Sequence, residues 1–403
     1  MRQMRNSAPD KTFHVSLLAN IELPGGRNFV DGIADYARRH GNWQLVFRDY
    51  QDQPRAAFLH ELETTDGIIS NGSGLKHLLR LANKAVPIVL TDPFPLNARA
   101  LGRLRSAPAI RCNNEEIGRT AVAFFARRGF HTLVYAGAPK ASEWSCARHR
   151  AFRHEAKLHR ATVADCPPET LKSRPKLIDF LRRLPKPCAI LAENDITARK
   201  ILFACQEGDL PVPTDISVLG VDNDRLICET CQPMLSSINT DEYSQGLHAA
   251  ETLHALMERR TIPARALEPI PVRITERNSV GYGKAHHPVL GPVVAFIRDE
   301  AMRPSFDISG IVARSGFSRR HLENIFRKEL GHTIKDEILS ARFAKLERLL
   351  AESDMRNADL VASCGFTSES HLCTLFRQRY GMTITTYRRQ HEIPRPDARE
   401  TPH

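Results

Sequence analysis

Short apolar runs alternate with amphipathic stretches over residues 12–280. The runs have the length of buried strands. They are Phe13–Leu18, Gln44–Phe47, Asp66–Ser70, Pro87–Thr91, Ala109–Cys112, Thr132–Ala136, Cys188–Ala192, Ile216–Val221 and Pro271–Ile274. Between them, apolar residues recur at helical spacing in Val30–Arg39, Glu116–Arg128, Thr197–Gln206 and Ser244–Arg259. Strands that alternate with helices predict an α/β fold with parallel sheets, and this many strands favour two doubly wound lobes with a cleft between them.

The pattern changes after a short segment without periodicity. Residues 281–289 contain Gly, Pro and two His and predict a linker. From residue 290 to residue 390 the apolar positions recur at helical spacing, without a strand-like run. We therefore expect an all-α domain there. The polar ends of the chain, residues 1–11 and 391–403, are expected to be disordered.

The all-α part contains an internal repeat. Ile311–Arg327 and Leu360–Arg377 share a Gly-Phe pair, a His-Leu pair and a Phe-Arg pair in the same order. The glycine of each copy, Gly316 or Gly365, lies where a first helix would end in the left-handed conformation. Each copy therefore predicts a short helix and a tight turn that leads into a second helix.

A hydroxyl residue follows each glycine at the position of an N-cap. Ser318 is this residue in the first copy, and Thr367 or Ser368 in the second. The layout is that of a helix-turn-helix motif, whose second helix fits the major groove of DNA. A pair of helical hairpins with solvated charged faces is the alternative. Two copies with matching landmarks favour DNA binding.

Outward positions on the second helix of each copy are candidates for DNA contact. Arg pairs with guanine, Asn with adenine and Glu with the amino group of cytosine. The candidates for base contact are Arg319, Arg320, Glu323 and Asn324 in the first copy and Ser368, Glu369, Ser370, His371 and Thr374 in the second. The candidates for phosphate contact are Arg327, Lys328, Arg377 and Arg379, and Ser318 completes the set.

Composition adds modest support. The chain has 403 residues, enough for two or three domains, and a net charge of +11. Residues 285–403 hold 18 Lys and Arg against 15 Asp and Glu, a net charge of only +3, so the DNA interpretation rests on motif geometry. The nine cysteines form no disulfide framework and the N-terminus has no apolar signal sequence. We therefore expect reduced thiols and a cytoplasmic protein.

Enzyme and metal motifs are weak. Gly72-Ser-Gly74 lacks the third glycine of a dinucleotide fingerprint, and Cys228-x-x-Cys231 has no second pair to complete a zinc site. His149, His154 and His159 are five residues apart and so do not share one face of a helix. We expect no catalytic residues, no metal and no cofactor.

Residues 290–390 resemble the DNA-binding domain of the AraC/XylS family of transcription regulators. The matching motifs are Ile311-Val-Ala-x-x-Gly-Phe-Ser, His321-Leu-x-x-x-Phe-Arg, Gly331-x-Thr, Ala341-Arg, Val361-Ala-Ser-Cys-Gly-Phe and Phe376-Arg-x-x-Tyr-Gly-x-Thr-x-x-x-Tyr-Arg. The resemblance implies two helix-turn-helix units joined by a helix over about Ile334–Leu350. It also implies operator or promoter DNA and RNA polymerase as partners.

Residues 12–280 resemble the effector domain of the LacI/GalR family, which is itself like a periplasmic sugar-binding protein. The matching motifs are Val86-Pro-Ile-Val-Leu-Thr-Asp, Asn114-Glu-Glu-Ile-Gly-Arg, Arg148-x-x-Ala-Phe, Ala192-Glu-Asn-Asp-x-x-Ala, Pro211-x-Pro-x-Asp-Ile-Ser-Val-x-Gly-Val-Asp-Asn and Ser236-Ser-Ile-Asn. The resemblance implies a homodimer. Its lobe 1 would comprise residues 12–112 and 240–265, and its lobe 2 residues 113–239 and 266–280.

Polar residues at strand ends are candidates for ligand binding, because ligands of open α/β sheets bind outside the carboxyl ends of the strands. They are Trp144, Arg148, Asn194, Asp195 and Asp222, together with Asn20, Asn71 and Asp92 from lobe 1. Carboxylates and amides pair with sugar hydroxyls, Arg donates to sugar oxygens, and Trp covers the apolar face of a sugar. Two alternatives stay open. Asp222-Asn223-Asp224 could form a turn, and Arg148 could be a surface charge.

Together these features predict a DNA-binding transcription regulator that is controlled by a small ligand in the cleft of the N-terminal domain. The resemblances imply a monosaccharide such as xylose as that ligand. The alternative is a sugar-binding protein or sugar enzyme with a C-terminal helical interaction module.

Overall fold

A computed structural model describes most of the chain. The described residues are 12–19, 21, 24–48, 55–70, 78, 86–91, 104, 107–138, 143–283, 289–303, 306–353 and 355–391. They divide into two compact units. The first unit holds the described residues up to Arg119 with Ala138–Phe152 and Ile238–Arg273, and the second holds Thr120–Gly137, Arg153–Ser237 and the described residues from Ile274 onward. The expected disordered ends lie outside these residues, except for His391.

Eleven strands and fifteen α-helices are formed by the described residues. The strands are β1 (Phe13–Leu18), β2 (Trp43–Phe47), β3 (Gly67–Ser70), β4 (Ile88–Thr91), β5 (Ala109–Ile110), β6 (Thr132–Ala136), β7 (Thr162–Cys166), β8 (Cys188–Ala192), β9 (Ile216–Val221), β10 (Ser236–Asn239) and β11 (Arg273–Thr275). The helices of the α/β part are α1 (Pro24–His40), α2 (Arg55–Glu63), α3 (Asn114–Arg127), α4 (Glu143–Leu158), α5 (Arg174–Arg183), α6 (Asp195–Glu207), α7 (Arg225–Thr230) and α8 (Glu242–Met257). The remaining helices are α9 (Leu290–Glu300), α10 (Ile308–Ser315), α11 (Arg319–Leu330), α12 (Ile334–Glu352), α13 (Asn357–Cys364), α14 (Glu369–Tyr380) and α15 (Ile384–His391).

The first unit is built on a five-stranded parallel sheet in the order β2-β1-β3-β4-β5. Helices α1 and α8 pack closely against each other beside this sheet. A Cβ on Gly32 would lie 2.1 Å from the Tyr243 carbonyl oxygen, and one on Gly246 would lie 2.0 Å from the Phe29 carbonyl oxygen. Only glycine allows the two helix backbones to approach this closely.

The second unit contains a six-stranded sheet in the order β11-β10-β9-β8-β6-β7. Its pairs β6–β7, β6–β8 and β8–β9 are parallel. Every residue of β8 and β9 is buried, which is typical of central strands in a parallel sheet that is covered on both faces. This arrangement and the helices that follow it confirm the predicted fold class.

The pattern of apolar runs found most strands and missed two. Strands β1, β6, β8 and β9 have the predicted bounds. Strand β7 was not predicted because it is a half-exposed edge strand and contains no continuous apolar run. Strand β10 was not predicted because its buried residues Ser236 and Ser237 are polar, and hydrogen bonds satisfy their hydroxyl groups. The last predicted strand, Pro271–Ile274, begins later, at Arg273.

The helical part has two apolar cores that share one helix. The first core gathers Leu290, Val293, Ile297, Ile311, Leu322, Phe326, Ile334 and Ile338. The second core gathers Phe343, Leu346, Leu350, Leu360, Phe366, Leu372, Phe376 and Ile384. Helix α12 contributes its first turns to one core and its later turns to the other, so it is the predicted helix that joins two helix-turn-helix units.

The two apolar cores of the helical part are linked at the carbonyl oxygen of Ala301, which directly follows α9. The Arg342 side chain, on α12, is buried and donates from Nε to this oxygen over 2.9 Å. Gly365, which ends α13, has φ of +73°, and a Cβ there would lie 2.7 Å from the same oxygen. Glycine is therefore required at position 365 for two reasons. The backbone is left-handed, and a Cβ atom would collide with the Ala301 oxygen.

We expect Gly365→Ala to destabilise the helical part more than Gly381→Ala does. Both glycines are left-handed, with φ of +73° and +70°, so each alanine costs about 1–2 kcal/mol. Only Gly365→Ala also displaces a backbone oxygen, because nothing lies within 4 Å of a Cβ at Gly381. The crowding adds about 1–3 kcal/mol. The measurement is urea unfolding followed by far-ultraviolet circular dichroism, and equal midpoints for the two variants would contradict the prediction.

Candidate functional site

Two helix-turn-helix units lie in the C-terminal region. Helices α10 and α13 end at Gly316 and Gly365, which have φ of +71° and +73°. Ser318 caps α11 by accepting from the His321 amide over 3.3 Å, and Ser368 caps α14 by accepting from the His371 amide over 3.2 Å. The open choice between Thr367 and Ser368 is thus decided for Ser368.

The second helix of each unit has one buried face and one exposed face. Leu322 and Phe326 on α11, like Leu372 and Phe376 on α14, are fully buried. Most of the candidates for DNA contact are exposed, namely Ser318, Arg319, Arg320, Asn324, Arg327, Lys328, Ser368, Glu369, Ser370, Thr374, Arg377 and Arg379. The helices therefore present the faces that the spacing predicted.

Several candidates carry internal contacts. Glu323 differs from them, because it is half-buried and no described residue hydrogen-bonds to its Oε2 atom. His371 Nδ1 and the Thr367 hydroxyl share a hydrogen bond of 2.9 Å. The Thr374 hydroxyl donates to the Ser370 carbonyl over 2.8 Å. Before Thr374 could donate a hydrogen bond to a base, this internal bond would have to break.

Arg379 differs from the other cations of α14. Its guanidinium carbon lies 4.9 Å from the centroid of the Phe343 ring and 5.9 Å from that of Tyr380. These cation–π contacts hold the side chain against the second core. Arg377 is equally exposed, and no ring contact holds its side chain among the described residues, so Arg377 is the better candidate for phosphate contact.

The first unit contains a polar cluster around Arg148. The Arg148 side chain is buried, and its guanidinium carbon lies 4.7 Å from the centroid of the Trp144 ring. Its Nε donates to Asn114 Oδ1 over 2.8 Å. The alternative that Arg148 is a surface charge is therefore wrong.

Local packing explains why Arg148 reaches Asn114. Both residues lie in helices, Asn114 at the start of α3 and Arg148 in α4. A Cβ on Gly118, in α3, would lie 2.4 Å from the Arg148 carbonyl oxygen. The missing side chain at Gly118 thus brings the two backbones together, and Asn114 lies one helical turn before it on the same face.

Glu242 completes this cluster with a carboxylate. Burial raises the pKa of Glu242, while a hydrogen bond from the Thr240 hydroxyl and the charge of Arg148 act in the opposite direction. Trp144, Arg148 and Asn114 therefore bring an indole, a guanidinium and an amide into contact, and the Glu242 carboxylate is near enough for its charge to interact with that of Arg148. This donor and acceptor set is suited to a polyhydroxylated ligand.

In the second unit, Asp195 serves the sheet itself. Its carboxylate accepts from the Ser237 hydroxyl over 2.6 Å, from the Asp224 amide over 2.7 Å and from Cys228 Sγ over 3.4 Å. Asp195 is 1% exposed, and burial raises its pKa although these hydrogen bonds act to lower it. Its donors are internal, so a part for Asp195 in ligand binding stays a prediction.

Asn194 also has an internal role, as the N-cap of α6. Its Oδ1 accepts from the Thr197 amide over 2.9 Å. Its Nδ2 group is still a potential donor to a ligand. Asn20, Asn71 and Asp92 lie outside the described residues.

Asp222 directly follows β9 in a backbone conformation that is rare for residues with side chains. Asp222 and Asn223 have φ of +102° and +53°. The alternative that Asp222-Asn223-Asp224 forms a turn is correct for its last residue only. Asp224 caps α7 by accepting from the Leu226 amide over 3.0 Å. Backbone strain of this kind concentrates at binding sites and directs attention to Asp222.

Sequence reasoning missed three residues at these places. Asn114 and Glu242 follow the ends of β5 and β10. The rule that found Asp222 also applies to Asn114 after the predicted run Ala109–Cys112, but it was not applied there. Glu242 was out of its reach because β10 was not predicted. Asn223, beside Asp222, has a buried Oδ1 atom to which none of the described residues donates a hydrogen bond. A buried amide oxygen of this kind is suited to accept from a ligand hydroxyl.

Metal binding and membrane insertion find no support in the described part of the chain. No group of three or more His, Cys, Asp or Glu residues there could hold a metal ion. Cys228 and Cys231 are both buried, and burial raises the pKa of each thiol. No helix among the described residues is long and apolar enough to cross a bilayer.

Comparison with known proteins identifies both halves of the chain. Residues 122–280 match the periplasmic binding protein-like domain, and residues 311–390 match a helix-turn-helix domain. The chain is a helix-turn-helix transcription regulator with a periplasmic-binding-protein-like domain. It is 26% identical to the xylose operon regulatory protein of Escherichia coli K12, across 94% of this regulator and 97% of that protein.

Two solved structures resemble this regulator. One is described as the xylose-binding transcription activator xylR, with a TM-score of 0.56, 25% identity and coverage of 95% of this chain and 99% of that chain. The other is a periplasmic binding protein/LacI transcriptional regulator from Alkaliphilus metalliredigens in complex with D-xylulofuranose. It has a TM-score of 0.54 and 20% identity and covers 67% of this chain and 99% of that chain, so it supports the fold alone.

These relatives confirm a regulator that joins a DNA-binding domain to a ligand-sensing domain. They also confirm that the chain is a regulator rather than an enzyme, because the relatives that match over nearly the whole chain are regulators.

We expect Arg320→Ala and Arg327→Ala to weaken DNA binding in different ways. Arg320 lies in the first turn of α11 and Arg327 two turns later, and both are exposed. Loss of a base contact at Arg320 should cost about 1–3 kcal/mol at the specific site and relax sequence preference there. Loss of a phosphate contact at Arg327 should weaken binding to all DNA and flatten the salt dependence. Fluorescence anisotropy on specific and scrambled duplexes distinguishes them, and an equal loss of specificity in both variants would contradict this assignment.

Proposed function

We propose that this regulator responds to a pentose such as D-xylose, which Trp144, Arg148 and Asp222 help to hold. The polar cluster around Arg148 is the observation that carries the proposal, because a buried guanidinium held by an amide and an indole is suited to sugar oxygens and a sugar face. The names of the relatives that span almost the whole chain support xylose over other sugars.

The chemistry favours a small neutral polyol over an anion. Glu242 lies in the cluster with Arg148, and Asp222 adds a second carboxylate at the strand end of the second unit. A carboxylate accepts hydrogen bonds from sugar hydroxyls and repels an anionic ligand. The Glu242 carboxylate thus complements the donors of Arg148 and Asn114 on a molecule that both donates and accepts.

Further properties extend the same proposal. We infer that the regulator acts as a homodimer in the cytoplasm and acts on transcription through contact with RNA polymerase. We also infer that the sensing part comprises residues 12–280 in two lobes with the bounds given above, and that the DNA-binding domain comprises residues 290–390. A solved dimeric Lac repressor shares the fold of the sensing part.

Isothermal titration calorimetry with D-xylose, D-ribose, L-arabinose and D-glucose tests the ligand directly. We expect D-xylose to bind most tightly and to shift the affinity of the full chain for DNA from its own upstream region. Heat from none of the pentoses, or tighter binding of glucose, would refute the proposal. The DNA-binding function is measured separately and does not depend on this result.

We expect Asp222→Asn to weaken D-xylose binding by about 1–3 kcal/mol, because a hydroxyl loses a charged acceptor. Asparagine tolerates the left-handed backbone at Asp222, so the variant should keep its fold. Asp209→Asn is the matched control, since Asp209 is exposed in the same unit and has φ of +53°. Wild-type affinity for D-xylose in Asp222→Asn would remove Asp222 from the site.

A further inference from the structure

Four charged side chains meet where the α/β part of the second unit continues into the helical part. We call this group the junction cluster. Arg128 follows α3, Glu276 follows β11, Arg298 lies in the last turn of α9, and Glu337 lies in the first turn of α12. The first two belong to the sensing part and the last two to the DNA-binding part.

The cluster is a chain of ion pairs that crosses from one part to the other. Arg128 and Arg298 each place an Nη2 atom 2.5 Å from Glu276 Oε2. Arg298 Nη2 also lies 3.6 Å from Glu337 Oε1. Glu276 thus pairs with one guanidinium of each part, and Arg298 is the residue that joins the two sides.

Burial distinguishes this cluster from ordinary surface ion pairs. The side chains of Arg128, Arg298 and Glu337 are only 11%, 13% and 10% exposed, while that of Glu276, which pairs with both guanidiniums, is 37% exposed. Burial acts to raise the pKa of Glu276, but the two guanidiniums outweigh it and hold the pKa below its usual value. Charged pairs that are shielded from water interact more strongly than exposed ones, whose contribution is often negligible.

Further hydrogen bonds, from side chains and from the backbone, lie beside the ion pairs. Arg298 Nη1 donates to the Arg277 carbonyl over 2.9 Å, and Asn278 Nδ2 donates to Asp299 Oδ1 over 2.8 Å. The Gly283 amide donates to the Arg128 carbonyl over 2.8 Å. The chain is therefore held against the sensing part up to Gly283, just before the segment that leads to α9.

The chain of contacts continues to the first recognition helix. Glu337 Oε2 lies 2.9 Å from His332 Nε2, and His332 Nδ1 lies 3.0 Å from the Leu330 carbonyl oxygen. Leu330 is the last residue of α11. Polar contacts thus run without a break from Arg128 in the sensing part to the end of the helix that faces DNA.

We propose that Arg298 is a positioning residue that fixes the first helix-turn-helix unit to the sensing part of the second unit. A ligand can change DNA binding only through a difference in affinity between two states of the protein. If the recognition helix is held on the sensing part, any ligand-driven movement of that part also moves the helix. The choice of D-xylose as the ligand rests on the function proposed above. The contact of Arg298 with the sensing part needs no ligand.

Arg298→Met is the sharpest test because it leaves every other charge of the cluster paired. Glu276 keeps Arg128, and Glu337 keeps His332. Methionine also retains much of the apolar stem that arginine buries. Arg303→Met is the matched control, since Arg303 follows the same helix and pairs with Glu300 but is 72% exposed.

The first measurement is amide hydrogen exchange of the full chain without ligand. We expect peptides that cover residues 281–283 and the start of α9 to exchange at least about tenfold faster in Arg298→Met, with no change in Arg303→Met. Unchanged exchange in Arg298→Met would overturn the docking. This result stands whether or not a pentose binds.

The second measurement is the coupling factor, the ratio of the DNA dissociation constants without and with saturating D-xylose. We expect Arg298→Met to bring this ratio at least about fivefold closer to one while D-xylose affinity in the absence of DNA stays at the wild-type value. A wild-type ratio in Arg298→Met would overturn the positioning role. If Arg298→Met does not fold, Glu276→Gln removes the same charge pair from the other side and must give the same two results.

Discussion

One carbonyl oxygen, that of Ala301, fixes the geometry of the DNA-binding domain. The buried Arg342 side chain of α12 donates to it, and the bare backbone of Gly365 lies against it from the second helix-turn-helix unit. This oxygen is therefore a common point of reference for the first core, for helix α12 and for the second helix-turn-helix unit. Two recognition helices can read one face of a duplex only if their separation is fixed, and this contact provides a rigid basis for it.

The geometry of the helical part matters for DNA binding because its net charge is low. The chain carries a net charge of +11, but residues 285–403 account for only +3 of it. Affinity for DNA from charge alone would therefore not be concentrated in the domain that reads bases. We propose that the exposed Arg319, Arg320 and Asn324 at the start of α11 supply specificity through their positions, which are set by the Ser318 cap and the left-handed Gly316.

The sequence was a good guide wherever periodicity and local chemistry act together. The repeat predicted both turn glycines, the caps and the buried faces of α11 and α14, since each depends on residues a few positions apart. Strand β10 was missed because Ser236 and Ser237 are buried by hydrogen bonds to distant partners, and no local pattern reports that. Asn114 and Glu242 were missed as site residues for a related reason. Their proximity to Arg148 depends on a close helix contact at Gly118 and on a chain that returns to the first sheet much later.

Strand-end carboxylates show where sequence reasoning about a binding site must stop. Asp195 and Asp222 both follow buried strands, and the sequence gives no ground for separating them. In the structure, Asp195 accepts from three groups of its own unit and is almost completely buried. Asp222 has a left-handed backbone, and the neighbouring Asn223 Oδ1 atom accepts no hydrogen bond from the described residues. A carboxylate with its acceptor capacity filled from within stabilises the fold, since opening those bonds for a ligand would cost what the ligand returns. The internal donors to Asp195 become visible only once a distant serine and a distant amide have been brought to the same strand end.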